Sequence, residues 1–265
     1  MKNSRYNDTT KVIAIIQTGQ PIESVLKKYG DFDAWFIKAM AIDKARTKTF
    51  RVYEKIEFPE MESIAGLIIT GSAAMVTEQR NWSEYTINWL KQFLHRDIPV
   101  LGVCYGHQQL ARLLGGTVDW NPQGRQMGQV NMRISPEAYK DRLLGSIIEQ
   151  SENSKTRVIK LLATHQQAVI ELPDDVTILG TTELDENHCF RYKNHIWGLQ
   201  FHPEFTTDIT AEYIRARAKD LVKEGLNPVQ MIKDVEKLDS VEHRDKGSQL
   251  LRRFRDICFF EQDIL

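Results

Sequence analysis

Short uninterrupted apolar runs alternate along the chain with longer stretches in which apolar positions recur at helical spacing. Val12-Ile-Ala-Ile-Ile16 is such a run, as expected of a central parallel strand buried on both faces. Gly66–Thr70 and Val100–Val103 repeat the pattern, and Thr49–Ile56 reads as a further strand. Between them Pro21 is placed to begin a helix that ends near Tyr29-Gly30. Asp31–Ile42 carries Phe32, Trp35, Phe36 and Met40 on one helical stripe, a core-packing pattern. Asn81–His95 is a helix bearing Trp82, Tyr85, Trp89 and Phe93. Past residue 116 strands predominate: Thr117–Trp120, Gly128–Ile134, Arg157–Ala163, Val176–Thr182, Cys189–Tyr192 and His195–Phe201. Asn121–Gly124 is a turn, and the polar stretch Ser135–Lys155 holds one short helical piece near Leu143–Ile148. From Thr206 onward charged helices take over, at Thr210–Glu224, Pro228–Lys237 and Ser240–Phe260. Leu250, Leu251, Phe254, Ile257 and Cys258 form an apolar stripe that needs a cover. Docking on the body of the protein is the first reading, and a homodimer interface the second.

Alternating strands and helices predict an α/β fold, an open and mainly parallel sheet covered on both faces. Composition narrows the partners. A net charge of −1 offers no field for nucleic acid or an anionic membrane. No apolar run approaches the roughly 20 residues of a membrane span, and Met1–Lys11 is a polar tail without an apolar signal core. Three cysteines, Cys104, Cys189 and Cys258, show no paired or metal-binding spacing, so neither a disulfide framework nor a metal site is expected. A reducing, cytoplasmic setting fits and keeps a thiol usable.

The chemistry is concentrated at Gly102-Val-Cys-Tyr-Gly106. An apolar strand runs into this turn, and Leu110, Ala111, Leu113 and Leu114 continue as a helix that stops at Gly115-Gly116. Gly-x-Cys-x-Gly is the cysteine form of the nucleophile elbow, in which the nucleophile sits in a strained conformation and bulkier neighbours two residues away would collide. The elbow aims Cys104 at the positive end of the following helix. A lone cysteine after a strand is ordinarily a small packing residue. The second element tips the balance. A strand at Trp197–Phe201 delivers His202-Pro-Glu204, which supplies a base and an acceptor to orient it. His165, after another strand, competes for the base role but has no carboxylate close behind it. His188 and His195 flank turns and read as solvated, and Cys189 as packing. Gly71-Ser72, after the strand at Gly66–Thr70, is either a plain turn or, beside Cys104, a loop that brings backbone N–H groups to a developing oxyanion.

Gly-Val-Cys-Tyr-Gly-His-Gln-Gln and His-Pro-Glu, together with Gln17-Thr-Gly19, Gly30-Asp-Phe32, Ile68-Ile-Thr-Gly-Ser72, Trp82, Gly124 and Gly128, resemble the class I, or triad-type, glutamine amidotransferases. The resemblance is to the amidotransferase domain of GMP synthase and its free-standing relatives, and covers most of residues 12 to 205. It implies a flavodoxin-like sheet. It divides the chain into a flexible tail over 1–11, a catalytic domain over 12–206 and a helical extension over 207–265 packed upon it. It implies a Cys104-His202-Glu204 triad without cofactor or metal, oxyanion donors at Gly71 and at Tyr105, and substrate contacts at Ser72, Gln108, Gly128 and His165. It places Trp82 at the pocket mouth, a role no better founded than packing. Gln166-Gln167 departs from the commoner Gly-Asp after the histidine, which unsettles the transferred contacts.

The expected reaction is hydrolysis of the side-chain amide of glutamine through a γ-glutamyl thioester, releasing ammonia for a separate acceptor or synthetase. No Gly-x-x-x-x-Gly-Lys phosphate loop is present. The alternative is a free-standing hydrolase of γ-glutamyl peptides, and the second alternative a non-catalytic interaction protein with the same fold.

Overall fold

The computed structural model describes residues 11–148, 158–239 and 246–260. The expected tail at 1–10 and the start of the helix expected at Ser240 lie outside them. In chain order the elements are β1 (Val12–Gln17), α1 (Glu23–Tyr29), α2 (Phe32–Met40), β2 (Thr47–Arg51), β3 (Ile64–Ile69), α3 (Asn81–Leu90), β4 (Val100–Val103), α4 (Tyr105–Leu113), β5 (Thr117–Trp120) and β6 (Gln126–Ile134). They continue with α5 (Gly145–Ile148), β7 (Val158–His165), β8 (Gln167–Glu171), β9 (Val176–Thr181), β10 (Cys189–Tyr192), β11 (Ile196–Leu199), α6 (Thr207–Ala216), α7 (Ala218–Lys223), α8 (Pro228–Glu236) and α9 (Lys246–Phe260).

Among the described residues nine strands form one sheet in the order β2-β1-β3-β4-β11-β10-β9-β6-β7. The first five run parallel; from β11 outward every pairing is antiparallel. Along the parallel strands alternate residues serve opposite faces, as the pleat dictates. Ile13, Ile15, Ile68, Leu101, Val103 and Leu199 meet Phe36 and Met40 of α2 and the stripe Leu250, Leu251, Phe254, Ile257 and Cys258 of α9. Ala14, Ile16, Leu67, Ile69, Val100 and Ile196 meet Leu90 of α3 and Tyr105, Leu110 and Ala111 of α4. Each fully buried aliphatic or aromatic side chain of this kind stabilises the fold by about 1.5–3 kcal/mol. The C-terminal stripe thus finds its cover on the sheet: Phe254 meets Trp197 edge-on at 6.4 Å, and α9 lies so close to β3 that a side chain at Gly66 would run into Cys258.

Several expected boundaries move. The second strand is shorter than Thr49–Ile56, because residues 52–55 turn away. The helix from Asn81 gives way at Lys91 to a 3-10 segment, and the helix expected over Thr210–Glu224 breaks at Arg217 into α6 and α7. Strand β8 was not foreseen: after Gln166 the chain leaves the main sheet and pairs with β5 in a two-stranded ribbon. Its polar first residue hides the apolar run that follows. Among the described residues no helix is long and apolar enough to cross a membrane.

Between β4 and α4 the chain turns through Cys104 at φ 51°, a conformation L-residues seldom adopt. The turn is tight enough that a Cβ on Gly102 would lie 2.5 Å from the Gly106 carbonyl oxygen, and one on Gly106 would collide with the Ile69 carbonyl. Gly106→Ala must therefore push α4 off β3. It is expected to lower stability by about 1–3 kcal/mol, read as a fall in the urea midpoint at unchanged slope.

Candidate active site

Strands β3, β4 and β11 are neighbours, so the segments after their C-terminal ends open on one edge of the sheet, where open parallel sheets bind ligands. The Cys104 N–H donates to the Leu199 carbonyl at 2.8 Å, the Gly106 N–H to the Thr70 carbonyl at 3.2 Å, and the His202 N–H to the Leu162 carbonyl at 2.8 Å. These bonds tie the elbow, the glycine loop and the His202 loop into one unit. A Cβ built on Gly71 would stand 3.0 Å from Cε1 of His202 and 3.7 Å from Cβ of Cys104, so the loop passes close to both residues. A side chain there would crowd His202, which would have to give way by a few tenths of an ångström.

His202 and Glu204 are almost wholly buried. Nδ1 of His202 bonds Oε1 of Glu204 at 2.7 Å, while Nε2 has no hydrogen-bond partner among the described residues. Burial alone would discharge the imidazole, but the Glu204 carboxylate and, after it, the neighbouring Cys104 sulfur outweigh it and raise the His202 pKa to about 10. Phe205 stacks on the His202 ring at 3.9 Å, and Tyr213 of α6 stacks on Phe205 at 5.3 Å, so the ring cannot swing away. The thiol of Cys104 stands 3.6 Å from the Thr164 carbonyl and lines a cleft together with His202.

Of the other candidates, Ser72, Tyr105, Gln108 and His165 line this cleft, and Gly128 does not. Gly128 lies within β6, outside the cleft lining, at a point where an added Cβ would meet Ile214, Met231 and Val235 of α6 and α8. Ser72 accepts from the Ala74 N–H at 3.1 Å and donates to the Thr18 carbonyl at 2.8 Å, a local turn brace. Gln108 donates both amide hydrogens, to the Gln167 carbonyl at 2.9 Å and to Oε1 of Gln200 at 3.0 Å, which leaves only its own oxygen to offer. His165 is pushed down to about 4 by burial. Its Nδ1 bonds the Gln167 carbonyl at 2.9 Å and its Nε2 faces the Gln126 amide at 3.0 Å. Trp82 packs on the Tyr105 ring at 5.4 Å and stays out of the cleft.

His188 and His195, read from sequence as solvated, are both buried. Asp185 receives Nδ1 of His188 at 3.1 Å, and the Phe93 carbonyl receives Nε2 of His195 at 3.4 Å. Among the described residues one group could hold a metal ion: His165, Asp185 and His188 each offer an atom within 4.8 Å of the others. These side chains already bond to one another or to the glutamines around them.

Two further groups had no assignment in the sequence. Thr18 donates to the Gly71 carbonyl at 2.9 Å and fixes that peptide. Gln167 bridges the cleft: its amide nitrogen donates to the Thr77 hydroxyl at 2.6 Å, and its carbonyl receives both Gln108 and His165. Its place in the unusual Gln166-Gln167 pair was the signal available.

Residues 8–220 match the family described as Glutamine amidotransferase class-I. The chain is 29% identical to Gamma-glutamyl peptidase 5 of Arabidopsis thaliana over 194 residues, 72% of this chain and 74% of that protein. It is 31% identical to the GMP synthase [glutamine-hydrolyzing] of Wigglesworthia glossinidia brevipalpis over 146 residues, 55% of this chain but 26% of the synthase. The crystal structure of a glutamine amidotransferase from Thermotoga maritima superposes with a TM-score of 0.67 at 21% identity, covering 94% of this chain and 98% of that one. With the family match running through the elbow, the glycine loop and His202-Pro-Glu204, the chain belongs to the class I glutamine amidotransferases.

Proposed function

We propose that the protein hydrolyses a γ-glutamyl side-chain amide through Cys104, within a catalytic unit spanning 12–206 that the segment 207–265 covers. The observation that carries this reading is the buried imidazole of His202, anchored on Glu204 through Nδ1 and with Nε2 unpartnered in a cleft it shares with Cys104. With the thiol proton of Cys104 already held on His202, whose pKa of about 10 keeps it there, the sulfur attacks the side-chain carbonyl carbon. The backbone N–H groups of Gly71 and Tyr105 receive the oxyanion. His202 returns the proton to the departing nitrogen as the C–N bond breaks, leaving a γ-glutamyl thioester. Water then attacks the thioester, giving its proton to His202, and glutamate and the free thiol result. Glu204 holds the imidazole in the required orientation throughout. The free oxygen of Gln108 suits an α-ammonium group of the substrate.

With glutamine the leaving group is ammonia, available to a separate acceptor or synthetase. A larger amine is the second reading, favoured by the extent of likeness to the peptidase: three quarters of that protein matches, against a quarter of the synthase. Glutamate release from glutamine and from γ-glutamyl dipeptides tests both. Release from either is expected, and it should stop when a thiol-directed glutamine analogue adds its mass at Cys104. No release and no addition would leave a non-catalytic interaction protein.

A further inference from the structure

The cleft beside Cys104 is cationic although the chain as a whole carries a net charge of −1. Among the described residues no aspartate or glutamate lines it, whereas Arg125, Arg217 and His202 do. Glu204 stands behind His202 and spends its charge there. The two arginines differ. Arg125 is held by Glu224 in a two-point pair at 2.8 Å and its charge is neutralised locally. Arg217 is 43% exposed, and the carboxylate it pairs with, that of Asp220, stands 3.8 Å away. The Arg125–Glu224 pair ties the turn before β6 to the end of α7, and so steadies the helix junction that carries Arg217.

Position gives that charge a meaning. His202 and Tyr213 line the cleft with the Phe205 ring stacked between theirs, and the Arg217 N–H closes the next helical turn onto the Tyr213 carbonyl at 3.1 Å. Ser72, Ala73 and Ala74, which follow Gly71, line the same cleft with Gln108 and Gln167. A departing amine must lie toward the imidazole that protonates it, so whatever is attached to that nitrogen extends into the part of the cleft that His202 shares with Tyr213 and Arg217.

We infer that Arg217 is a specificity residue that binds a carboxylate carried by the leaving amine, so that the preferred substrate is a γ-glutamyl peptide with a free C-terminal carboxylate. This rests on the γ-glutamyl hydrolase reading above. A guanidinium offers a carboxylate two parallel hydrogen bonds, and a one-signed cleft raises the local concentration of such anions.

The test compares γ-glutamylalanine and γ-glutamylalanylglycine with their C-terminal amides, and measures glutamate release. The wild-type protein should favour the acid over the amide in at least one pair by about tenfold or more in kcat/KM, chiefly through KM. Arg217→Ala should bring that ratio to about one, Arg217→Lys should keep part of it, and Arg217→Glu should reverse it. The ratio is internal to each variant, so loss of folded protein does not move it. Equal turnover of acid and amide by the wild type, or an unchanged ratio in Arg217→Ala, overturns the subsite and leaves the hydrolase reading intact. Absence of turnover on glutamine and on every peptide overturns both.

Discussion

Cys104→Ala is expected to reduce glutamate release by about four orders of magnitude or more while leaving the fold in place. Among the described residues no other that lines the cleft offers a nucleophile of comparable strength beside His202. The structural consequence should be slight. The alanine keeps the Cβ and removes the sulfur, with its long hydrogen bond to the Thr164 carbonyl and its share in holding the proton on His202. The strained turn at φ 51° stays as it was, since cysteine and alanine share its cost. Thermal unfolding of the variant should therefore fall within a few degrees of the wild type, a shift equivalent to about 1 kcal/mol or less for a chain of this size. A large drop in stability would mean that the thiol serves packing.

Glu204→Gln should show effects on both activity and stability. The amide keeps the shape but not the charge. Burial then dominates at His202, whose pKa falls from the value near 10 that Glu204 and Cys104 maintain. Turnover is expected to drop by about 10³–10⁴-fold, as when the orienting acid of a triad becomes an amide. The pH dependence of stability follows from the sign of the shift. A histidine raised in the folded state stabilises fully below its unfolded pKa of about 6.5, and that contribution fades as pH rises through the folded value. The wild type should thus exceed the variant most at pH 6 and below, by about 3–5 kcal/mol if the bare charge stays buried. The gap should close as the pH approaches about 10. Urea denaturation across that range measures it, and a gap that widened with pH would refute the ion pair.

The parallel half of the sheet was legible because β1, β3, β4 and β11 are short apolar runs that a strand buried on both faces requires. The elbow was legible because glycine at 102 and 106 around a cysteine has a steric reason that survives without coordinates. His202-Pro-Glu204 was legible since a base and its acceptor stand side by side in sequence. What escaped depends on partners far along the chain. His188 and His195 look solvated until Asp185 and the Phe93 carbonyl are brought to them. Gly128 matched the family pattern, yet its neighbours are side chains of α6 and α8 that local spacing does not announce. Gln167 works through its carbonyl as much as its side chain, and a backbone contact leaves no trace in residue type. Arg217 falls at the break between two helices that read as one, so its placement on the cleft wall was hidden.

The proposed chemistry stands on one covalent bond, between the Cys104 sulfur and a γ-glutamyl group. Rapid acid quench of the working protein with glutamine or a γ-glutamyl peptide, followed by intact and peptide mass spectrometry, looks for that bond directly. The account predicts one γ-glutamyl adduct, mapped to Cys104 and discharged by hydroxylamine. Glutamate release that persists in Cys104→Ala and never shows an adduct on this residue would contradict it.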